Sequence, residues 1–175
     1  MIGILVPAHN EAGCLDACLR SLSIAAAHPR LRGEPVRVTV ALDACTDASA
    51  DICRRHGVGM VQVQALCVGA ARAAAADALI RMGARWLAST DADSQVPADW
   101  LVAQCEAGTE VFCGVVDLGD LAPSQAWLRN CFQRAERWGQ GHGRVHGANM
   151  GVSTPAYLAA GGFGAQRCSE DVDLV

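Results

Sequence analysis

Strand-like and helix-like stretches alternate along this chain from its second residue, and that alternation restricts the fold more than any other feature. Ile2-Gly3-Ile4-Leu5-Val6 is a short continuous apolar run, the pattern of a strand buried on both faces. Pro7 is expected to end it. Residues 11–27 place Leu15, Cys18, Leu19, Leu22 and Ala26 at helical spacing. The loop from His28 to Pro35 leads to a second strand over Val36–Leu42. Thr46 or Asp47 caps a helix running to His56, with Gly57 as its stop. Strands follow at Val58–Val63, Arg85–Ser89, Glu110–Val116 and Ala148–Ser153. Helices are expected over Gly69–Met82, Pro97–Ala107 and residues 123–138, with a short one capped by Thr154 and stopped at Gly161-Gly162. A further helix start is expected over Ser169–Asp173. Such an order predicts an α/β fold, a mostly parallel sheet with helices on both faces. Its length of 175 residues suits one domain.

In open sheets of this kind, ligands bind beyond the carboxyl ends of the strands. The residues able to do chemistry fall there. Pro7, His9, Asn10 and Glu11 follow the first strand, Asp43 the second, and Asp91 and Asp93 the fourth. Asp91-Ala92-Asp93 is the sharpest feature. Two carboxylates at one strand end can hold Mg²⁺ or Mn²⁺, hard cations that take oxygen ligands and bridge to phosphates. The same residues also suit a turn, with Asp93 or Ser94 capping the helix that Pro97 opens. Asp43 is placed to accept hydrogen bonds from a nucleoside, whereas Asp47 reads as a helix cap. Gly69-Ala70-Ala71-Arg72 opens a helix whose free amides and Arg72 suit an anion; a solvated Arg on an Ala-rich surface helix fits it equally. Glu170-Asp171-Val172-Asp173 offers either dipole-complementing carboxylates or a general base. His146-Gly147-Ala148-Asn149 sets a glycine, where backbone can approach a ligand, between polar groups.

Composition narrows the function. Fourteen basic and eighteen acidic residues give a net charge of −4, which argues against a nucleic-acid partner. Every basic residue other than histidine is Arg, so lysine chemistry is excluded. The nine cysteines contain no C-x-x-C pair, and most lie in apolar stretches. They read as small packing residues of a cytoplasmic, reducing environment. No apolar run approaches the ~20 residues of a membrane span, and membrane association is not evident.

Taken in order, these segments resemble the family-2 glycosyltransferases. Val6-Pro7-Ala8-His9-Asn10-Glu11 is similar to the family's opening strand end. Leu42-Asp43-Ala44-Cys45-Thr46-Asp47 resembles its next acidic segment, and Asp91-Ala92-Asp93 its D-x-D. The stretches from His146 to Val152 and from Gly161 to Phe163 resemble the approach to its "ED" motif, Glu170-Asp171 here. The resemblance implies a GT-A fold, a Rossmann-like sheet, forming one glycosyltransferase catalytic domain over residues 1–175. It implies an inverting, hexosyltransferase-like enzyme using a nucleotide diphosphate sugar. Pro7, His9, Asn10, Glu11, Asp43, Arg72, Asp91, Gly147 and Asn149 would bind substrate. Asp93, with Asp91, would hold Mg²⁺ or Mn²⁺. Asp171, beside Glu170, would take the proton of an acceptor hydroxyl on a saccharide, lipid or small molecule.

Two departures stand out. Four residues follow Asp171, where family members continue into a segment that shapes the acceptor site, so the expectation is either a C-terminally truncated chain or a minimal or degraded enzyme. Ser153 stands where many relatives carry Arg. The competing reading is a non-catalytic nucleotide-sugar-binding domain. A sugar nucleotidyltransferase would need a Gly-rich basic loop after the first strand, and Pro7-Ala8-His9-Asn10-Glu11 is not one.

Overall fold

A computed structural model of the chain describes residues 1–117, 145–166 and 170–174. In chain order the elements are β1 (Ile2–Ala8), α1 (Leu15–Ala26), β2 (Val36–Asp43), α2 (Ser49–His56), β3 (Gly59–Val63), α3 (Val68–Arg81), β4 (Trp86–Ser89), α4 (Trp100–Glu106), β5 (Val111–Cys113), β6 (Met150–Ser153) and α5 (Thr154–Ala159). The six strands form one sheet in the order β3-β2-β1-β4-β6-β5. Strands β1 to β4 pair in parallel, and β6 runs antiparallel to both β4 and β5. The expected helices on both faces are present. Ile2, Ile4, Val6 and Ala8 point into one core layer with α1, α2 and α4. Leu5 points into the other, with α3 and α5. All seven residues of β1 are buried, which explains why its sequence shows no polar alternation.

Helix α3 sits close to the sheet because its inward face is small: Ala71, Ala75 and Ala76 are buried, and Leu79 lies over Gly3. A Cβ added at Gly3 would come within 3.0 Å of Leu79. That fit places the start of α3 at the rim where β1, β2 and β4 end.

Several boundaries differ from the sequence reading. Pro7 does not end β1; it stays in register opposite Ala41 of β2. The carbonyl of Leu5 accepts from Thr90 on the β4 side. Pro7, two residues on, faces the same side, beyond the last residue of β4, so its missing N–H leaves no ladder bond unmade. Helix α1 begins at Leu15 because the turn before it is tied down by side chains, with Asp47 accepting from the Ala12 amide. Similarly, α4 starts at Trp100, after a turn in which the Trp100 amide reaches Pro97. Ser153, not Thr154, caps α5: its hydroxyl accepts from the Ala156 amide, while Thr154 donates its own to the Ala84 carbonyl. Strand β5 is shorter than Glu110–Val116. A single 3₁₀ turn over Gly147–Asn149 delays β6 to Met150, and Val172–Leu174 is likewise 3₁₀. The helix expected over residues 123–138 lies outside the described residues, as do Ser169, Cys131 and Cys168.

Cys14, Cys18, Cys45, Cys53, Cys67 and Cys105 are free thiols, and burial is the first cause pushing Cys53 up to about 11. Thiol titration of the urea-unfolded protein is expected to return all nine cysteines; fewer would reveal a disulfide or a thiolate-bound metal. Leu79 is fully buried. Leu79→Ala should cost about 2–5 kcal/mol in urea unfolding, and a loss below about 1 kcal/mol would contradict the close packing of α3 on β1.

Candidate active site

The carboxyl ends of β1, β2 and β4, the start of α3, the turn at Gly147 and the Glu170-Asp171 segment surround one cavity of about 700 Å³. Of the residues singled out in the sequence, Pro7, His9, Glu11, Asp43, Arg72, Asp91, Asp93, Gly147, Glu170 and Asp171 line it. Two do not. Asn10 adopts a left-handed backbone (φ 57°), a conformation Asn tolerates better than most residues. Its side-chain oxygen accepts from the amide and hydroxyl of Thr46, joining the loops after β1 and β2. Asn149 is spent as a clamp, accepting from Trp100 Nε1 and donating to the Val115 carbonyl. Both asparagines shape the walls from behind.

Asp43 ends β2 and is 4% exposed. Its carboxylate accepts three backbone N–H groups, from Ala65 and Leu66 at Oδ1 and from Cys67 at Oδ2. Burial pushes its carboxyl up, but the amides of Cys67, Leu66 and Ala65 outweigh this and hold it below the usual range. These bonds fold the loop before α3, in which Leu66 has a φ of 48°. His9 Nδ1 donates to the Asp43 carbonyl at 2.6 Å, which ties the loop after β1 to the end of β2. Asp47 is not the expected cap, since the N-cap of α2 is Ala48 with no side-chain cap bond; it lies one residue earlier and accepts from the Ser49 amide across a local turn.

A turn follows β4, closed by the Ser94 amide on the Asp91 carbonyl. It sends the two carboxylates of the D-x-D different ways. Asp91 turns inward and accepts from Arg72 Nη2 at 2.5 Å. Asp93 is exposed, with a long 3.5 Å hydrogen bond from Ser94 Oγ. Behind the turn, burial and then the charges of Asp93 and Asp91 push the Cys18 thiol up to about 12.

Arg72 departs furthest from the surface-helix reading. It is 4% exposed, and its Nη1 also donates to Glu170, itself 2% exposed. Gly147 lies flat against this guanidinium: an added Cβ would stand 2.4 Å from Arg72 Cζ. The Gly147 amide donates to Asp171 Oδ2 at 2.6 Å, and Oδ1 takes the Val172 amide at 3.0 Å. Asp173 turns away from the cavity and accepts from Gln166. Sequence reasoning missed the loop at Leu66 and Cys67 and the lining contributed by Val116, and it marked His146 only as a polar flank of Gly147. No spacing pattern marks Leu66 and Cys67, because the Asp43 bonds bring them to the cavity.

The donor set fits a divalent cation bound with a ligand. Asp93 offers exposed carboxylate oxygens at the rim. Among the described residues no group of three or more His, Cys, Asp or Glu side chains forms a metal cage. An ion there would be held by one or two carboxylates plus phosphate oxygens and water.

The chain matches the family model for Glycosyl transferase family 2 over residues 3–159, and it belongs to that family. No curated protein matches the sequence. Its sheet is that of the GT-A glycosyltransferases. TarS 1-349 from S. aureus superposes with a TM-score of 0.69 at 16% identity, over 97% of this chain and 52% of that one. The mannosyltransferase PcManGT from Pyrobaculum calidifontis, in complex with GDP-Man and Mn²⁺, gives 0.64 at 18% identity, over 98% and 49%. Glucosyl-3-phosphoglycerate synthase from Mycobacterium tuberculosis, with Mn²⁺, UDP-Glc and phosphoglyceric acid, gives 0.60 at 16%, over 89% and 57%. The chain thus spans about half the length of these structures. No described helix is long and apolar enough to cross a membrane.

Asp43 yields a stability test. Its lowered carboxyl contributes stability above the unfolded value near about 3.9. That contribution fades as pH falls through the folded value. Asp43→Asn should therefore cost about 1–3 kcal/mol at pH 7, and the gap to the wild type should narrow towards pH 3. Urea unfolding at both pH values measures this, and a gap that does not change with pH would contradict the three-amide arrangement.

Proposed function

We propose that the cavity binds a nucleotide diphosphate sugar together with Mg²⁺ or Mn²⁺ and transfers the sugar, with inversion, to an acceptor hydroxyl. The observation that carries this reading is the charge of the lining. Among the described residues, Glu11, Asp43, Asp91, Asp93, Glu170 and Asp171 face the cavity against one guanidinium, Arg72, and that guanidinium is already paired with two of them. Such a lining repels a bare diphosphate and suits one that arrives with a divalent cation. The neighbours support the same choice, since GDP-Man and UDP-Glc complexes among them contain Mn²⁺.

In this reading Pro7, His9, Glu11 and the loop that Asp43 holds cradle the nucleoside, and Asp91 faces the ribose or sugar. Asp93, with the remaining oxygen of Asp91, would hold the cation, which neutralises the diphosphate as it leaves. Asp171 is the general base. Two amides fix its carboxylate, and lone pairs remain for the acceptor proton. The acceptor oxygen bonds to the anomeric carbon as its proton passes to Asp171. The bond from that carbon to the diphosphate breaks, and its electron pair leaves on the phosphate oxygen. One displacement inverts the configuration. The acceptor is a hydroxyl of a saccharide, lipid or small molecule. The free thiols support a reducing, cytoplasmic setting.

Two substitutions separate binding from chemistry. Asp93→Ala should weaken Mn²⁺-dependent binding of UDP or GDP about ten-fold or more. Calorimetry showing equal binding with a chelator present would sink the metal assignment. Asp171→Asn should lower transfer by about 10²–10⁴ while donor affinity holds; full transfer by that variant would remove Asp171 as the base.

A further inference from the structure

We propose that Arg72 is a positioning residue, whose guanidinium ties the Glu170-Asp171 segment to the end of β4 and so seats Asp171 on the Gly147 amide. The geometry is independent of the proposed activity; its catalytic consequence rests on that reading. Arginine is almost never fully buried unless it is paired. Arg72 meets that condition with two carboxylates far apart in the chain, Asp91 and Glu170, nineteen and ninety-eight positions away. A planar fork can reach both at once, whereas an ammonium acts as a single point charge.

Gly147 closes the arrangement. Its missing side chain lets backbone lie on the guanidinium, and its amide holds Asp171. Glu170 and Asp171 are adjacent, so fixing one against Arg72 and the other against Gly147 fixes the orientation of the segment. A phosphate-binding role suits Arg72 less well. Both of its Nη groups face carboxylates, and the two negative charges outweigh its one positive charge. The distance from the D-x-D to the base is therefore set by protein groups before any ligand enters.

The test uses the full chain and reads the Gly147 amide by ¹⁵N-resolved hydrogen exchange. Arg72→Gln is the direct variant. Glu170→Gln is the second, an isostere that keeps the shape should Arg72→Gln fail to fold. Each should speed exchange at Gly147 about ten-fold or more, as a lost hydrogen bond does, while Val152 and Ala88 in the sheet keep their protection. Arg72→Lys should not restore Gly147. With UDP-GlcNAc, UDP-glucose and GDP-mannose as donors and Mn²⁺ present, Glu170→Gln should lower kcat about 10²-fold and leave donor KM within about two-fold. Unchanged Gly147 exchange in a folded Arg72→Gln or Glu170→Gln protein overturns the proposal, as does a change in donor KM with kcat intact. A wild type that releases no nucleotide refutes the proposed activity, and the exchange measurement still decides the role of Arg72.

Discussion

A single buried guanidinium meets two carboxylates beneath the cavity, and much of the site's form depends on that meeting. Arg72 reaches the interior because α3 rests on β1 through alanines and the fit of Leu79 against Gly3. Asp91 turns inward to meet it, which leaves Asp93 outward at the rim. Glu170 is buried for the same reason, and Gly147 has to lack a side chain. Removing one partner from such a group costs far more than the net worth of the pairing, because the remaining charge is left buried and uncompensated. The arrangement holds geometry more than it adds stability.

The second determinant is the excess of negative charge that the described residues turn towards the cavity. Asp43 illustrates how the protein keeps a carboxylate charged there: three amides solvate it in place of water, and in return it shapes the loop ahead of α3. A cavity lined in this way is hostile to anions alone. The proposed ligand, which carries both a diphosphate and a cation, suits such a lining.

The fold was largely legible in the sequence because β1 and β4 are buried throughout, and because β2, after Arg37 and Thr39, runs into the buried apolar stretch Val40-Ala41-Leu42. Boundaries failed where a side chain, not periodicity, decides the backbone. Asp47 holds the turn before α1, Ser153 caps α5 in place of Thr154, and Pro7 extends β1 since its nitrogen faces the β4 side past that strand's last residue. The site was legible as a set of strand-end carboxylates. Their division of labour was not. Asp91 and Asp93 look equivalent in sequence, yet one is paired and the other exposed. Asn10 and Asn149 carry the polarity of ligands, yet one is consumed by the loop after β2 and the other by Trp100 of α4 and the Val115 carbonyl. Arg72 suited a solvated helix equally well, because its partners lie at positions no local pattern connects.

The central claim is that this cavity cleaves a nucleotide diphosphate sugar by one inverting displacement. The most direct test follows the anomeric protons by ¹H NMR while the chain, with Mn²⁺, acts on α-linked UDP-GlcNAc, UDP-glucose or GDP-mannose, water serving as acceptor. The expected first product is free sugar of β configuration, formed together with UDP or GDP. Release of the α sugar first, or no release from any of the three donors, would contradict the claim.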